Sequence, residues 1–411
     1  MGISLGLVGL GAFGSNFAPY FKAHPLVDRI GLCDCEAPRI ARFAKDPFFQ
    51  DKFKEGDAYG TLDEILKSDF DALVIITQPW FHAAQCVRAM ESGKHAYSAV
   101  PIVTLPDGDE ILEWCDRLIK TCERTGKHYM LGETTYYRPQ AIYCRRRAAE
   151  GAFGDFVYSE GEYFHDVEHG LRRVKARREG SATGKEWLKL KEGYKKRGIV
   201  SGPMHYPTHS TSGPICVMKA HAVKVCAWPY YSEMNKEYHE GAPANETALF
   251  RMSNGSTMRI CEHREIAHPG REMFRVYGSK GSFEHDTWCT RGTFEFNNWN
   301  IKGATTPLTA DEMREALPPE VVEAFKAAKQ SVARNQGKEL SAREAEDFYG
   351  GHGGSHSYLV HEFVDAVAHE RVPAINAWEA ARYMAAGVMA HKSALADGEV
   401  LDVPDWGDAP A

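Results

Sequence analysis

Two pairs of side chains in this chain are of types that move protons. Tyr206 and His209 stand three apart, a spacing that lets both share one face of a helical turn. Tyr163 and His165 alternate along a predicted strand and so point to the same side of it. Histidine, with a reference pKa of about 6.5, exchanges a proton at neutral pH, whereas tyrosine, at about 10, needs a nearby cation. A third group of residues is suited to holding phosphates. Gly9-Leu10-Gly11-Ala12-Phe13-Gly14 follows the apolar run 3–10 and opens a predicted helix over 15–23. In this spacing Gly9 permits a tight turn, Gly11 admits a pyrophosphate close to the backbone, and Gly14 lets helix pack on strand. The amides at the helix start, around Ala12 and Phe13, then point at the phosphates. Asp34 ends the next apolar run, 20 residues after Gly14. There its carboxylate accepts from ribose hydroxyls and repels a 2′-phosphate, so the pattern predicts NAD in preference to NADP. Arg39 could accommodate a phosphate, but Glu36 keeps the local charge from being basic.

These residues need a scaffold, and the hydrophobic pattern supplies an α/β one. Over residues 1–130 strand and helix alternate in the manner of a doubly wound parallel sheet of Rossmann type, with a continuous apolar strand at 72–76 and helices over 81–92 and 107–126. Ligands in such sheets bind beyond the carboxyl ends of the strands. Thr77, Pro79, Trp80 and His82, then Ala99, Val100 and Pro101, are therefore expected to line the cofactor cleft. Residues 131–411 read as an α/β domain around an open, mostly antiparallel sheet, with strands at 156–163, 222–228, 247–252, 256–262, 273–277 and 282–285. Insertions at about 171–200 and 304–346 interrupt it. The stretch 171–198 holds eleven Lys or Arg against three Glu. Such a run is a solvated face, or it guides an anionic substrate or a partner subunit.

A net charge of −7 and 43% hydrophobic residues give no support to nucleic-acid or membrane binding. No run of 18 apolar residues occurs, and no signal sequence precedes the first strand, so a cytoplasmic location is expected. The ten cysteines are scattered through apolar elements and read as reduced, buried side chains; Cys33-Asp34-Cys35 is too tight for a redox or zinc motif. His165, Asp166, His205, His209, His352 and His356 include metal-binding types, but their spacing fits no known zinc pattern, and no metal is expected.

Gln78, Gly93-Lys94-His95 and Tyr277-Gly278-Ser279-Lys280-Gly281-Ser282, together with the glycine fingerprint, resemble the nicotinamide-dependent sugar oxidoreductases typified by glucose-fructose oxidoreductase and inositol dehydrogenase. In that family Glu-Lys-Pro follows Gly-Lys-His, and its lysine helps move the hydroxyl proton during hydride transfer. This chain has Ala99-Val100-Pro101, and Val100 cannot carry a proton. Met204-His205-Tyr206-Pro207-Thr208-His209 resembles the Tyr-Pro-Thr-His motif of glycoside hydrolase family 109, which uses NAD without net redox. Glu133, the stretch Gly161 to Asp166 and Gly351-His352-Gly353-Gly354 extend this likeness in the same order.

The resemblance implies a sugar or glycoside substrate and a homo-oligomer, dimer or tetramer, built on the outer face of the open sheet. Oxidation of a ring hydroxyl, at C3, acidifies the C2 hydrogen; a base removes it, the C1 substituent leaves, water adds, and the hydride returns. His209 and Tyr206 are the candidates for the C3 hydroxyl proton, and Tyr163 and His165 for C2. Glu133 joins the cofactor residues, or caps the helix at Pro139. Asp166, His205, Thr208 and His352 are candidate substrate contacts. A dehydrogenase with net redox, and a nucleotide-binding protein without catalysis, are the competing functions.

Overall fold

The computed structural model describes residues 2–295 and 300–410. Six strands, β1 (Ile3–Val8), β2 (Val27–Cys33), β3 (Phe53–Tyr59), β4 (Ala72–Ile75), β5 (His95–Ala99) and β6 (Tyr129–Gly132), form a parallel sheet in the order 3-2-1-4-5-6. The order reverses beside β1, which opens a crevice at the carboxyl ends of β1 and β4. β4 and β5 are buried at every position. That explains why Ala72–Ile75 is an unbroken apolar run. β3 has no counterpart in the predicted strands. It is an edge strand whose Lys54, Glu55 and Gly56 are exposed, so its sequence carries no apolar run to announce it.

The remaining strands are β7 (Phe156–Phe164), β8 (Ala222–Tyr230), β9 (Asn245–Met252), β10 (Thr257–His263), β11 (Arg271–Gly278), β12 (Gly281–Glu284), β13 (Thr287–Thr290), β14 (Thr293–Glu295), β15 (Asn300–Lys302), β16 (Thr305–Pro307) and β17 (Leu401–Asp402). β14 and β15 form a separate hairpin; the other nine build one open sheet in the order 16-13-12-11-7-10-9-8-17. β7 with β10 is its parallel pair, and the other pairings are antiparallel. The whole is an α/β molecule with a parallel Rossmann-type sheet and an open, mostly antiparallel one, as expected.

One face of the open sheet presents Phe250, Met258, Ile260, Phe274 and Val276 to the helices Thr208–Met218 and Ala377–Leu395. The opposite face exposes Trp228, Tyr230 and Leu249 by about half. Contact between β7 and the helix Thr208–Met218 is close: a Cβ on Gly161 would stand 1.9 Å from the carbonyl oxygen of Ser210. Strand backbone therefore touches helix backbone, one residue past His209 and two before Tyr163.

The insertions differ in character. The first forms the helices Leu171–Glu179 and Gly184–Lys196, with Gly184 and Tyr194 their buried residues. The second contains the helix Pro319–Asn335, whose Val321, Phe325 and Ala328 are buried. Phe325 packs 5.3 Å from the Tyr20 ring, so this segment braces the nucleotide-side helix Gly14–Ala23. All ten cysteines are free. Among the described residues no helix is long and apolar enough to cross a membrane.

Candidate functional site

The crevice beyond β1 is shaped by its glycines. Gly9 adopts φ +92°, and a Cβ there would lie 2.3 Å from the Ile76 carbonyl oxygen; one on Gly14 would lie 2.0 Å from that of Gly9. At Gly11 the nearest atom to such a Cβ is Arg39 Nη1, 3.7 Å away, so this backbone is open to a ligand. The helix Gly14–Ala23 has no side-chain cap, which leaves its first amides for an anion. Asp34 is buried, its Oδ2 accepting from Leu10 N at 2.8 Å and its Oδ1 from Glu36 N at 2.9 Å. Arg39 is drawn to Glu36, at 2.7 Å, with Asp34 further off at 3.5 Å. Open backbone at Gly11, uncapped amides near Ala12 and Phe13 and a fixed carboxylate at Asp34 fit a dinucleotide.

The loops beyond β4 and β5 are held to one another. His82 is buried, with Nδ1 2.9 Å from the Pro101 carbonyl and Nε2 3.3 Å from that of Thr77; burial pushes its pKa down to about 4. Thr77 donates its hydroxyl to Gln85 at 2.6 Å, and the Pro79 carbonyl accepts from Thr104 N at 3.2 Å. His82 thus ties the two loops together, with both ring nitrogens facing protein carbonyls. Trp80, also expected on the cofactor side, is stacked on Trp187 of the first insertion, with centroids 4.6 Å apart.

His209 lies in the first turn of the buried helix Thr208–Met218 and is the centre of a charge cluster. Its Nδ1 lies 2.9 Å from Glu133 Oε1 and 3.6 Å from Glu272 Oε1. Burial works against the imidazolium, but the two carboxylates outweigh it and push the pKa up to about 9. On Glu133 burial works upward, yet the His209 charge holds the carboxyl below its usual range. Glu133 is fully buried and also accepts from Thr135 N at 2.8 Å. It pairs with His209, and it does not cap the helix Pro139–Ala149. Glu272 is held by Arg138 at 2.5 Å and by the Thr135 hydroxyl at 2.8 Å. Glu133, His209 and Glu272 have the donor types of a metal site. Arg138 engages Glu272 Oε2 and His209 Nδ1 faces Glu133 Oε1, while Glu133 Oε2 is buried without a partner.

Tyr206 is not on a helix with His209. Pro207 intervenes, a residue before proline is steered out of helical geometry, and Tyr206 sits at φ −129° and ψ 58° before the helix Thr208–Met218. The two rings nevertheless lie 5.6 Å apart. The Tyr206 hydroxyl stands 3.5 Å from the Val100 carbonyl, and burial pushes its pKa up to about 12.

Tyr163, near the end of β7, is 5.0 Å from the His209 ring, centroid to centroid. Its hydroxyl is 2.9 Å from His165 Nδ1, while His165 Nε2 faces the His169 carbonyl at 3.3 Å. A carbonyl only accepts, so Nε2 carries the ring proton and Nδ1 accepts from the phenol. Burial raises the Tyr163 pKa, opposed by Arg264, whose guanidinium lies 4.7 Å over the ring; burial and Arg264 together lower that of His165.

The expected substrate contacts are dispersed. Asp166 Oδ1 accepts from Glu168 N and Oδ2 from Ile266 N, so it pins a turn. His205 is 1% exposed, with Nδ1 on the Leu105 carbonyl and its ring 4.4 Å from His391. Thr208 is fully buried at its helix start. Each of the three is engaged or enclosed within the protein. His352 lies beside the nucleotide-side helix. It is 5.8 Å from Phe13, takes φ +51° in its glycine-rich loop, and Nδ1 faces His356 Nε2 at 2.9 Å. Burial and the His209 charge lower its pKa.

Glu272, Arg138, Glu262 and Arg264 were not among the expected residues. Register places Glu262 and Glu272 directly beside Tyr163, on β10 and β11. Arg264 reaches Glu262 at 2.6 Å, and burial pushes the Glu262 carboxyl up to about 7 despite that partner. The available signal was an acid at a buried-face position of each strand.

Residues 3–133 match the oxidoreductase family described as having an NAD-binding Rossmann fold. A glycosyl hydrolase family 109 protein of a Shewanella species is 28% identical over 177 residues, 42% of this chain and 37% of that relative. An alpha-N-acetylgalactosaminidase of Shewanella oneidensis is 27% identical over 176 residues, again 42% and 37%. The chain thus matches little more than a third of the length of these curated relatives. Among solved structures, levoglucosan dehydrogenase in complex with NADH and levoglucosan has a TM-score of 0.69 at 16% identity, covering 98% of this chain and 100% of that one. Myo-inositol 2-dehydrogenase from Lactobacillus plantarum has a TM-score of 0.65 at 14% identity, with the same coverage. The chain shares the fold of these two dehydrogenases, and its residues 3–133 match the oxidoreductase family with an NAD-binding Rossmann fold.

Proposed function

We propose that the protein is an NAD-dependent sugar-processing enzyme that oxidises a ring hydroxyl transiently, at C3, and cleaves a glycoside by elimination and hydration. The observation that carries this reading is the presence of two separate proton carriers side by side, His209 with its carboxylates and Tyr163 with His165. Net oxidation of an alcohol needs one proton acceptor; elimination after oxidation needs a second for the C–H bond.

Gly9, Gly11, Gly14 and Asp34 hold the dinucleotide, and the residues around Ala99, Val100 and Pro101 border it. The bound cofactor supplies reversible hydride acceptance from the sugar carbon. His209 Nε2 takes the C3 hydroxyl proton and later gives it back. The two carboxylates make it a stronger base but hold it protonated at neutral pH, so it acts from the fraction that has released its proton. Tyr206, beside Val100, positions that hydroxyl. At C2 the proton passes to the Tyr163 oxygen while the phenol proton moves to His165 Nδ1; the C–H electron pair forms the C1–C2 double bond, and the C1–O bond breaks. The aglycone oxygen picks up a proton, water adds at C1, C2 is reprotonated, and the C3 carbonyl is reduced. His352, beside Phe13 and electrostatically coupled to His209, supports the same face.

Aryl α- and β-glycosides incubated in deuterated water with catalytic NAD test this. Aglycone release with deuterium at C2 and no accumulated reduced nicotinamide is the expected result. Accumulation of reduced nicotinamide on free sugars without aglycone release overturns it in favour of a net dehydrogenase, the activity named for the two structural neighbours.

A further inference from the structure

Among the cations of the basic first insertion that no carboxylate engages, Arg178 is the one partly withdrawn from solvent. Lys175 and Lys191 reach Glu240 at 2.6 and 3.4 Å, Arg172 reaches Glu168 at 2.8 Å, and Arg197 reaches Glu110 at 3.5 Å. Arg178 is half-buried at the end of the helix Leu171–Glu179, and among the described residues no carboxylate or hydrogen-bond acceptor engages its guanidinium. The insertion that carries it is fixed over the loop beyond β4. Trp187 stacks on Trp80 with an interplanar angle of 7°, and the Tyr194 hydroxyl donates to Glu110. Arg178 is electrostatically coupled to groups on both sides of the crevice. At Tyr206 its charge opposes the effect of burial, and at His82 it reinforces it. A guanidinium withdrawn partly from water without a partner is costly, and its planar fork suits carboxylate, sulfate and phosphate oxygens.

We propose that Arg178 recognises an anionic substituent, a carboxylate, sulfate or phosphate ester, on the sugar bound in this crevice. The proposal rests on the sugar-site reading above and narrows its substrate class to charged glycosides. The same chemistry is present in the phosphates of a dinucleotide, so the test separates the two sources.

Calorimetric titration with paired methyl uronides and the neutral methyl glycosides, glucose and galactose series in both anomers, reads binding without turnover, with and without NADH. The protein is expected to bind a uronide at least tenfold more tightly than its neutral partner, with the margin shrinking as salt is raised. Arg178→Gln should abolish the margin and leave the dissociation constant for NADH within twofold. Equal or tighter binding of the neutral glycosides overturns the proposal, as does a margin that survives in Arg178→Gln. So does a variant that loses NADH affinity with discrimination intact, which assigns Arg178 to the cofactor phosphates. A uronide bound with the expected margin but neither cleaved nor oxidised upholds the anion site and refutes the cleavage reading separately.

Discussion

The Nδ1 of His209 and the Oε1 of Glu133 are 2.9 Å apart in an ion pair whose side chains are 7% and 0% exposed. Removing one charge leaves the other buried. Glu133→Gln is expected to drop the His209 pKa from about 9 by at least one unit, because burial then faces Glu272 alone. Histidine resonances followed by NMR against pH check this, and an unchanged titration would refute the pairing. The His209 value is raised above the unfolded 6.5, so its stabilisation is full below pH 6.5 and fades as pH rises through 9. Glu133→Gln should therefore lower Tm more at pH 6 than at pH 10.

His209→Asn should reduce kcat/KM by about 100-fold to 10,000-fold, the range for a general acid–base residue. The residual wild-type activity at low pH should climb towards pH 9 as the imidazolium releases its proton. A rate that is flat from pH 6 to 9 would remove His209 from proton transfer at C3.

Tyr163→Phe deletes the C2 acceptor and leaves His209 in place. Deuterium incorporation at C2 and aglycone release should both fall at least 100-fold, while a single turnover of hydride transfer survives. Simultaneous loss of hydride transfer would show that the two proton carriers do not act separately.

His24, His82 and His356 are buried and held neutral, with burial pushing them down to about 3, 4 and 3. Depressed values contribute stability that is present above pH 6.5 and lost as pH falls towards 4 and 3. Thermal unfolding should therefore move to lower temperature between pH 7 and pH 4.5. A Tm that is constant across that interval contradicts the neutral assignment.

Asp34 fixes the loop through Leu10 N and Glu36 N, and the proposed NAD site sets its carboxylate against the ribose. The protein should bind NAD at least tenfold more tightly than NADP, and Asp34→Asn should narrow that ratio. Equal affinity of the unaltered protein for both cofactors would contradict the assignment.

The glycine turn, Asp34 and most strands of both sheets were legible because each is a local pattern: spacing, an apolar run, an alternation. The charge environment of His209 was not. Glu133 and Glu272 come from β6's following turn and from β11, and only strand register and helix packing bring them together. Sequence types alone suggested a histidine poised near 6.5; two acids distant along the chain move it to about 9. The Tyr206 and His209 spacing led to neighbouring rings by an irregular route, since Pro207 breaks the turn that the spacing implied. Asp166 and His205 tie backbone together, a role that a polar residue beside a catalytic-looking motif fills without any signal in the sequence.

Gly161 has no side chain to offer to chemistry, yet it acts as the spacer gauge of the site. With 1.9 Å between its would-be Cβ and the Ser210 carbonyl, the separation of strand and helix is set by a hydrogen atom. Even a methyl group there would wedge apart the ledges that carry Tyr163 and His209, so the distance between the two proton carriers is written into the one residue that cannot hold a proton.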